Sequence, residues 1–231
     1  MADGIERTAG GFWDARAREY DAFARLGMPR YDEMLDQLVR SLPEAVETVL
    51  ELGCGTGALT ERLLARFPGV RLRALDAAPE MLAVARQRLE ARHPGASVEL
   101  CPAEFEALEA GSLRFDLLTS SMALHHVRDK APVYAVLRRT LAPGGYFVFA
   151  DELTAVASHV ETLHWNGWLD FARQPGHLDE AQIAETIEHV EQLDHYETLP
   201  DQLALLSGAG FAEVDCVWRY LNYAIFTARA A

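Results

Sequence analysis

The stretch ELGCGTG, from Glu51 to Gly57, constrains this chain more than any other. It follows a short apolar run, Val46 to Leu52, and leads into a helical pattern, Ala58 to Phe67. Gly53, Gly55 and Gly57 at alternate positions let the backbone turn tightly and bring its N–H groups close to a ligand. Two ligands suit a strand, a glycine turn and a helix in that order: a dinucleotide, or S-adenosylmethionine (SAM). The spacing does not choose between them, because Gly53-x-Gly55-x-x-Ala58 also meets the relaxed dinucleotide fingerprint. Glu51 chooses. A pyrophosphate here would be repelled by that carboxylate, whereas the sulfonium and ammonium groups of SAM would be attracted to it.

Around this turn the chain alternates between short apolar runs and helical periodicity. Strands are expected at 46–52, 70–75, 97–101, 115–120 and 146–150, the last approached through Pro143-Gly144-Gly145. Helices are expected at 58–67, at 79–92 with Pro79 in its first turn, and at 130–141. Such alternation implies an α/β domain with a parallel sheet and right-handed crossovers, its ligands at the carboxyl ends of the strands. Residues 1–45 read as an N-terminal helical cap, with Tyr20 before the breaker Pro29 and Met34, Leu35, Leu38, Val39 and Leu42 at helical spacing. After Asp151 the alternation stops for about fifty residues, expected as helices at 158–172 and 179–193. So long a stretch between sheet elements reads as a helical lid insertion, 151–200, within a 46–231 domain. A further helix at 200–208 and a closing hairpin, 211–218 with 221–228, complete the chain.

Charge and cysteine content exclude several classes. The net charge of −14 argues against general nucleic-acid binding, which needs clustered Lys and Arg. Between Asp151 and Asp201 stand twelve Asp or Glu and one basic residue, Arg173, so this segment carries −11 of the total. No apolar run approaches the roughly 20 residues that span a bilayer, and no secretory signal opens the chain. Cys54, Cys101 and Cys216 lack pairing parity and metal-ligand spacing, as expected of reduced thiols in a cytoplasmic protein.

These residues together resemble the class I SAM-dependent methyltransferases. VLELGCGTG is similar to the family's first motif, LDAAPEML with Asp76 to its second, and PAEF with Glu104 to its third. FDLLTSSMALHHV and LAPGGYFVFADE follow in the family's order. The flanks, REYDAFARLGMPRYDEM and LDHYETLPDQLALLSGAGFAEVDCVWRYLNYAIF, look like a branch that includes the carboxy-SAM synthases and other methyltransferases. The resemblance implies a Rossmann-like, mostly parallel seven-stranded sheet ending in an antiparallel hairpin. It further implies SAM as cofactor, bound by Tyr20, Glu51, Gly53, Gly55, Gly57, Asp76, Ala77, Met81, Ala103, Glu104, Ser120 and His125. Asp76 would take the ribose hydroxyls, since one carboxylate can accept from two adjacent hydroxyls.

The reaction is less defined. His125 suits a general base near neutral pH, or a structural role, and Asp151 suits a base or an orienting group for the lid. Trp165, Trp168, His195 and Tyr223 are candidate acceptor contacts, with core packing the alternative for the aromatics. The lid carries five of the eight histidines, yet no ligand spacing such as HExxH is present. They read as parts of a solvated acidic helix face, and no metal is expected. The leading expectation is methyl transfer to a small, neutral or cationic acceptor, without a membrane or nucleic-acid partner and with a homodimer left open. Cyclisation of SAM, carboxy-SAM formation, or SAM binding without catalysis are the alternatives.

Overall fold

The structure, a computed structural model, describes residues 9–230; the ends of the expected 1–45 cap and of the expected 46–231 domain, residues 1–8 and 231, lie outside the described residues. The chain begins with α1 (Ala9–Asp14), α2 (Tyr20–Gly27) and α3 (Tyr31–Arg40). Alternation then sets in: β1 (Thr48–Leu52), α4 (Ala58–Arg66), β2 (Arg71–Asp76), α5 (Pro79–Arg92), β3 (Val98–Pro102), β4 (Phe115–Ser121), α6 (Lys130–Thr140) and β5 (Leu141–Thr154). There follow α7 (Ser158–Ala172), α8 (Glu180–Leu193), a two-residue β6 (Glu197–Thr198), α9 (Leu199–Gly208), β7 (Phe211–Tyr220) and β8 (Tyr223–Ala230).

The strands lie in the order β3-β2-β1-β4-β5-β8-β7, with β6 paired to β5 off this path. Pairing is parallel from β3 through β5, while β8 runs antiparallel to both β5 and β7. Side chains of successive residues leave opposite faces of a strand, and the core divides accordingly. Val49, Val148 and Ile225 join Leu35, Leu38 and Leu63 under α3 and α4. Leu50, Phe147, Phe149 and Phe226 join Tyr134 and Leu137 of α6 and Leu206 of α9. Both faces are covered, which is why the strands read as continuous apolar runs.

Two expectations need correction. Strand β5 does not start after Pro143-Gly144-Gly145 but runs through it: Phe115 faces Leu141 and Leu117 faces Tyr146, so the extra residues form a bulge. At its other end β5 continues past Asp151 to Thr154, because Asp151 and Glu152 still pair with Ala224 and Tyr223 of β8. The α7–α8 region thus begins four residues later than expected. It packs on the N-terminal helices, where Trp168 donates from its indole N–H to the Gly27 carbonyl at 2.8 Å. Helix α8 starts with a reciprocal capping box between Asp179 and Gln182.

Candidate functional site

Two cavities open at the carboxyl ends of the parallel strands. The larger, about 990 Å³, lies over the turn between β1 and α4. Gly53, Gly55 and Gly57 all hold positive φ, at 64°, 52° and 83°. A Cβ on Gly53 would lie 2.3 Å from Ala123 Cβ, so that glycine is required by packing. A Cβ on Gly55 would meet nothing within 4 Å and would project where the turn lines the cleft. The turn is held by Asp76, whose two oxygens accept from the backbone N–H of Gly55 at 2.7 Å and of Ala78 at 2.9 Å. Burial pushes the Asp76 carboxyl up, against those two hydrogen bonds.

Glu51 is 1% exposed and accepts from the Thr60 hydroxyl at 2.6 Å. Burial pushes its pKa to about 8, opposed by the Thr60 hydroxyl and reinforced by the Asp76 charge. Ala77, Met81 and Glu104 also line this cleft, Met81 packed with Ala17 and Ala78. Glu104 stands before a short 3-10 turn that its side chain does not cap.

Several expected cofactor residues fall elsewhere. Ser120 is fully buried and donates to the Leu52 carbonyl at 2.8 Å. Its neighbour Ser121 faces the cleft, with a hydroxyl that has no hydrogen-bond partner. Ala103 is bound through its N–H to the Asp76 carbonyl, and Gly57 is the residue that caps α4; neither lines the cleft. His125 faces away from it, into the second cavity, and His126 takes the place at the cleft instead. His195, expected at the acceptor, lines the larger cleft, and its carbonyl accepts from Lys130 Nζ at 2.5 Å.

The second cavity, about 190 Å³, is bounded by aromatic rings, including Trp165, Trp168 and Tyr223 as expected. Trp13, Tyr20 and Met122 line both cavities and so form the wall between them. Burial raises the Tyr20 phenol well above its ordinary pKa, so it stays neutral. On the floor lies His125, whose Nδ1 is 2.5 Å from Asp151 Oδ1 and whose Nε2 is 3.9 Å from Asp194 Oδ1. Burial opposes charging this ring, but the two carboxylates prevail and raise it to about 9. At neutral pH it is a cation, the wrong state for a general base.

Asp151 itself lines neither cavity; it is buried behind His125 and orients that ring. Glu152, one residue on, points into the aromatic cavity instead, and desolvation pushes its carboxyl up while the Tyr196 and Tyr223 hydroxyls pull it down. The period-2 phase of β5 was the signal available for this exchange. The histidines of 151–200 are not uniformly a solvated face either. His189 is 6% exposed, packed against the rings of Phe12, Trp13 and His126.

A family model described as a methyltransferase domain matches residues 49–145. Malonyl-[acyl-carrier protein] O-methyltransferase of Paenibacillus sp. (strain JDR-2) is 36% identical over 58% of this chain and 50% of its own length. Trans-aconitate 2-methyltransferase of Methylobacterium nodulans is 37% identical over 58% of this chain and 47% of its own. The chain carries a methyltransferase domain over residues 49–145 and is similar there to the class I SAM-dependent methyltransferases. It spans about half the length of these curated relatives. The methyltransferase fold extends beyond the matched domain. An S-adenosylmethionine-dependent methyltransferase from Mesorhizobium loti superposes with a TM-score of 0.63, covering 84% of this chain and 96% of its own at 23% identity. No helix among the described residues is long and apolar enough to cross a membrane.

Proposed function

We propose that this protein transfers the methyl group of SAM to a small-molecule acceptor held in the aromatic cavity. The observation that carries the reading is the shared wall of Trp13, Tyr20 and Met122: one cavity suits the cofactor, and the other abuts it where the methyl group must pass. The cofactor cleft fits SAM on its own chemistry. Glu51 offers a buried carboxylate to a cation, Asp76 keeps lone pairs beyond the two backbone contacts, Ser121 has a free hydroxyl, and Gly55 leaves open space. SAM, when bound, supplies an activated methyl on a sulfonium leaving group.

The chain's own residues then have to align the acceptor within about 3–3.5 Å of the methyl carbon and exclude water. Helices α7 and α8 act as the lid for this purpose, held by Trp168 on α2 and by the Arg16–Glu185 ion pair. Four carboxylates, Glu152, Glu161, Glu185 and Asp194, line the cavity against two cationic groups, Arg16, already paired to Glu185, and His125, held between Asp151 and Asp194. With the rings of Trp165 and Trp168, this charge balance favours a neutral or cationic acceptor, such as a hydroxyl compound or an amine. Glu152, with its raised pKa, is placed to receive the proton the acceptor loses.

The deciding experiment is product analysis with SAM and a panel of amines, hydroxylated metabolites and carboxylic acids. S-adenosylhomocysteine formed with a member of the first two groups supports the proposal. Turnover with acids alone refutes the acceptor class. Methylthioadenosine or a heavier SAM adduct would replace methyl transfer by cyclisation or carboxylation, and binding without any product would leave a SAM-binding protein.

A further inference from the structure

The most unusual feature of the aromatic cavity is a carboxylate surrounded by imidazoles. His125, His126 and Asp194 offer ligand atoms that all lie within 4.8 Å of one another. His189 adds a third ring, its Nε2 3.5 Å from Asp194 Oδ1. Neither ring nitrogen of His189 has a hydrogen-bond partner, although the residue is buried. A buried polar side chain left unsatisfied costs stability, so its persistence here asks for a ligand.

The hydrogen bonds sort the three rings into two kinds. Trp13 donates from its indole N–H to His126 Nε2 at 3.3 Å, which leaves the proton on Nδ1 to be donated to Asp194 Oδ1 at 2.9 Å. His126 therefore steadies the carboxylate. His125 is held at Nδ1 by Asp151, leaving Nε2 turned toward Asp194, and His189 turns its Nε2 to the same oxygen. Those two nitrogens stand at 3.9 and 3.5 Å from it, beyond hydrogen-bonding distance. Bonds of roughly 2.0–2.2 Å to a shared metal ion would separate ligand atoms by roughly 2.8–3.6 Å at octahedral or tetrahedral angles. The His189–Asp194 separation already fits, the His125–Asp194 separation exceeds that range by a few tenths of an ångström, and the two imidazoles must close on a shared ion together.

We propose that His125, His189 and Asp194 bind a divalent first-row transition-metal ion on the floor of the aromatic cavity. Two imidazoles and a carboxylate are a donor set that suits such ions and leaves coordination positions for another ligand. Asp151 behind His125 is the outer carboxylate that commonly orients a metal-bound imidazole. Binding displaces any proton on His125 Nε2, as ligation requires. All three ligands line the aromatic cavity, so the open positions face the space assigned to the acceptor. A hydroxyl or amine acceptor would ligate there through its lone pair; this last step rests on the methyl-transfer reading, whereas metal binding does not.

The test uses chelator-treated full-length protein titrated with cobalt(II) chloride at neutral pH, followed by visible absorption and calorimetry. One equivalent should bind with ligand-field bands. His189→Gln and Asp194→Asn should each weaken binding at least about 100-fold. His159→Gln, on the exposed start of α7, should leave it unchanged and so separates this site from surface histidines. Asp151→Asn, which removes no proposed ligand, should cost about 10–100-fold and provides a second route should the ligand variants fail to fold. Absence of stoichiometric cobalt or zinc binding, or binding indifferent to His189→Gln in a folded variant, overturns the proposal. Calorimetry with SAM on the same samples distinguishes the two claims: SAM binding without metal defeats the metal site alone, and metal binding without SAM defeats the methyl-transfer reading alone.

Discussion

The glycine cleft and the aromatic cavity sit on opposite sides of the same three residues, yet they are built in opposite ways. The polar frame of the cleft comes mainly from strand ends between Glu51 and Glu104, each followed closely by the turn or helix it needs. The aromatic cavity draws on α1, α2, β5, α7, α8 and the β7–β8 turn. A site made of local turns depends on backbone conformation. A site assembled from distant helices depends on the packing that brings them together.

That difference sets the order of expected mutational effects. The largest should come from Trp168→Ala, because the indole is buried and carries the 2.8 Å hydrogen bond that fixes α7 to α2. Large-to-small changes of this kind cost about 3–5 kcal/mol, to be read from urea unfolding. SAM affinity of the folded variant should change less than about threefold, about half of the 1.4 kcal/mol that a tenfold change represents. A proportionate loss of SAM affinity would show that the two sites are one cooperative unit.

Next comes Gly53→Val, which combines a positive φ with a 2.3 Å approach to Ala123 Cβ. Left-handed strain and overpacking together should cost about 2–5 kcal/mol. Gly55→Val shares the positive φ but not the clash, so it should lose only about 1–2 kcal/mol of stability while abolishing SAM binding. If both variants behaved alike in unfolding and in SAM calorimetry, the division between a packing glycine and a ligand-facing glycine would be broken. Asp76→Ala should then weaken SAM by about 1–3 kcal/mol, through lost hydrogen bonds to a charged group. Calorimetry reads that loss, and unchanged affinity in a folded variant would remove Asp76 from the cofactor site.

The same contrast explains what the sequence made legible. Pro79–Arg92 and Ser158–Ala172 were bounded correctly because helix starts and apolar spacing are local signals. The place of Glu51, Gly53, Gly55 and Asp76 on the cleft was recoverable because strand ends and glycine turns are coded in adjacent residues. Ser120 is expected at the cofactor but turns inward, leaving Ser121 on the cleft, because β4 is buried on both faces, which hides the alternation that shows its phase. Asp151 and Glu152 were exchanged because the end of β5 is set by its pairing with β8, seventy residues on. His189 was read as solvated since its burial comes from Phe12 and Trp13, which nothing in the spacing of α8 announces.

The smallest effect predicted is also the sharpest test of the residue that singled out SAM. Glu51 has a folded pKa near 8, raised from 4.5 mainly by burial. A raised acid stabilises the fold fully below its unfolded pKa, and that contribution is lost as pH rises from about 4.5 to about 8. A cationic ligand reverses the penalty, because its charge favours the carboxylate. SAM binding at pH 6.5 should therefore release up to about one proton, seen as a difference in calorimetric enthalpy between two buffers of unlike ionisation heat. Glu51→Gln should remove that difference while keeping the Thr60 contact and the fold. Buffer-independent enthalpy in the unmodified protein would mean that Glu51 stays protonated beside the ligand. The carboxylate would then serve the turn rather than the sulfonium, and the preference for SAM would have to rest on Asp76, Ser121 and the space beside Gly55.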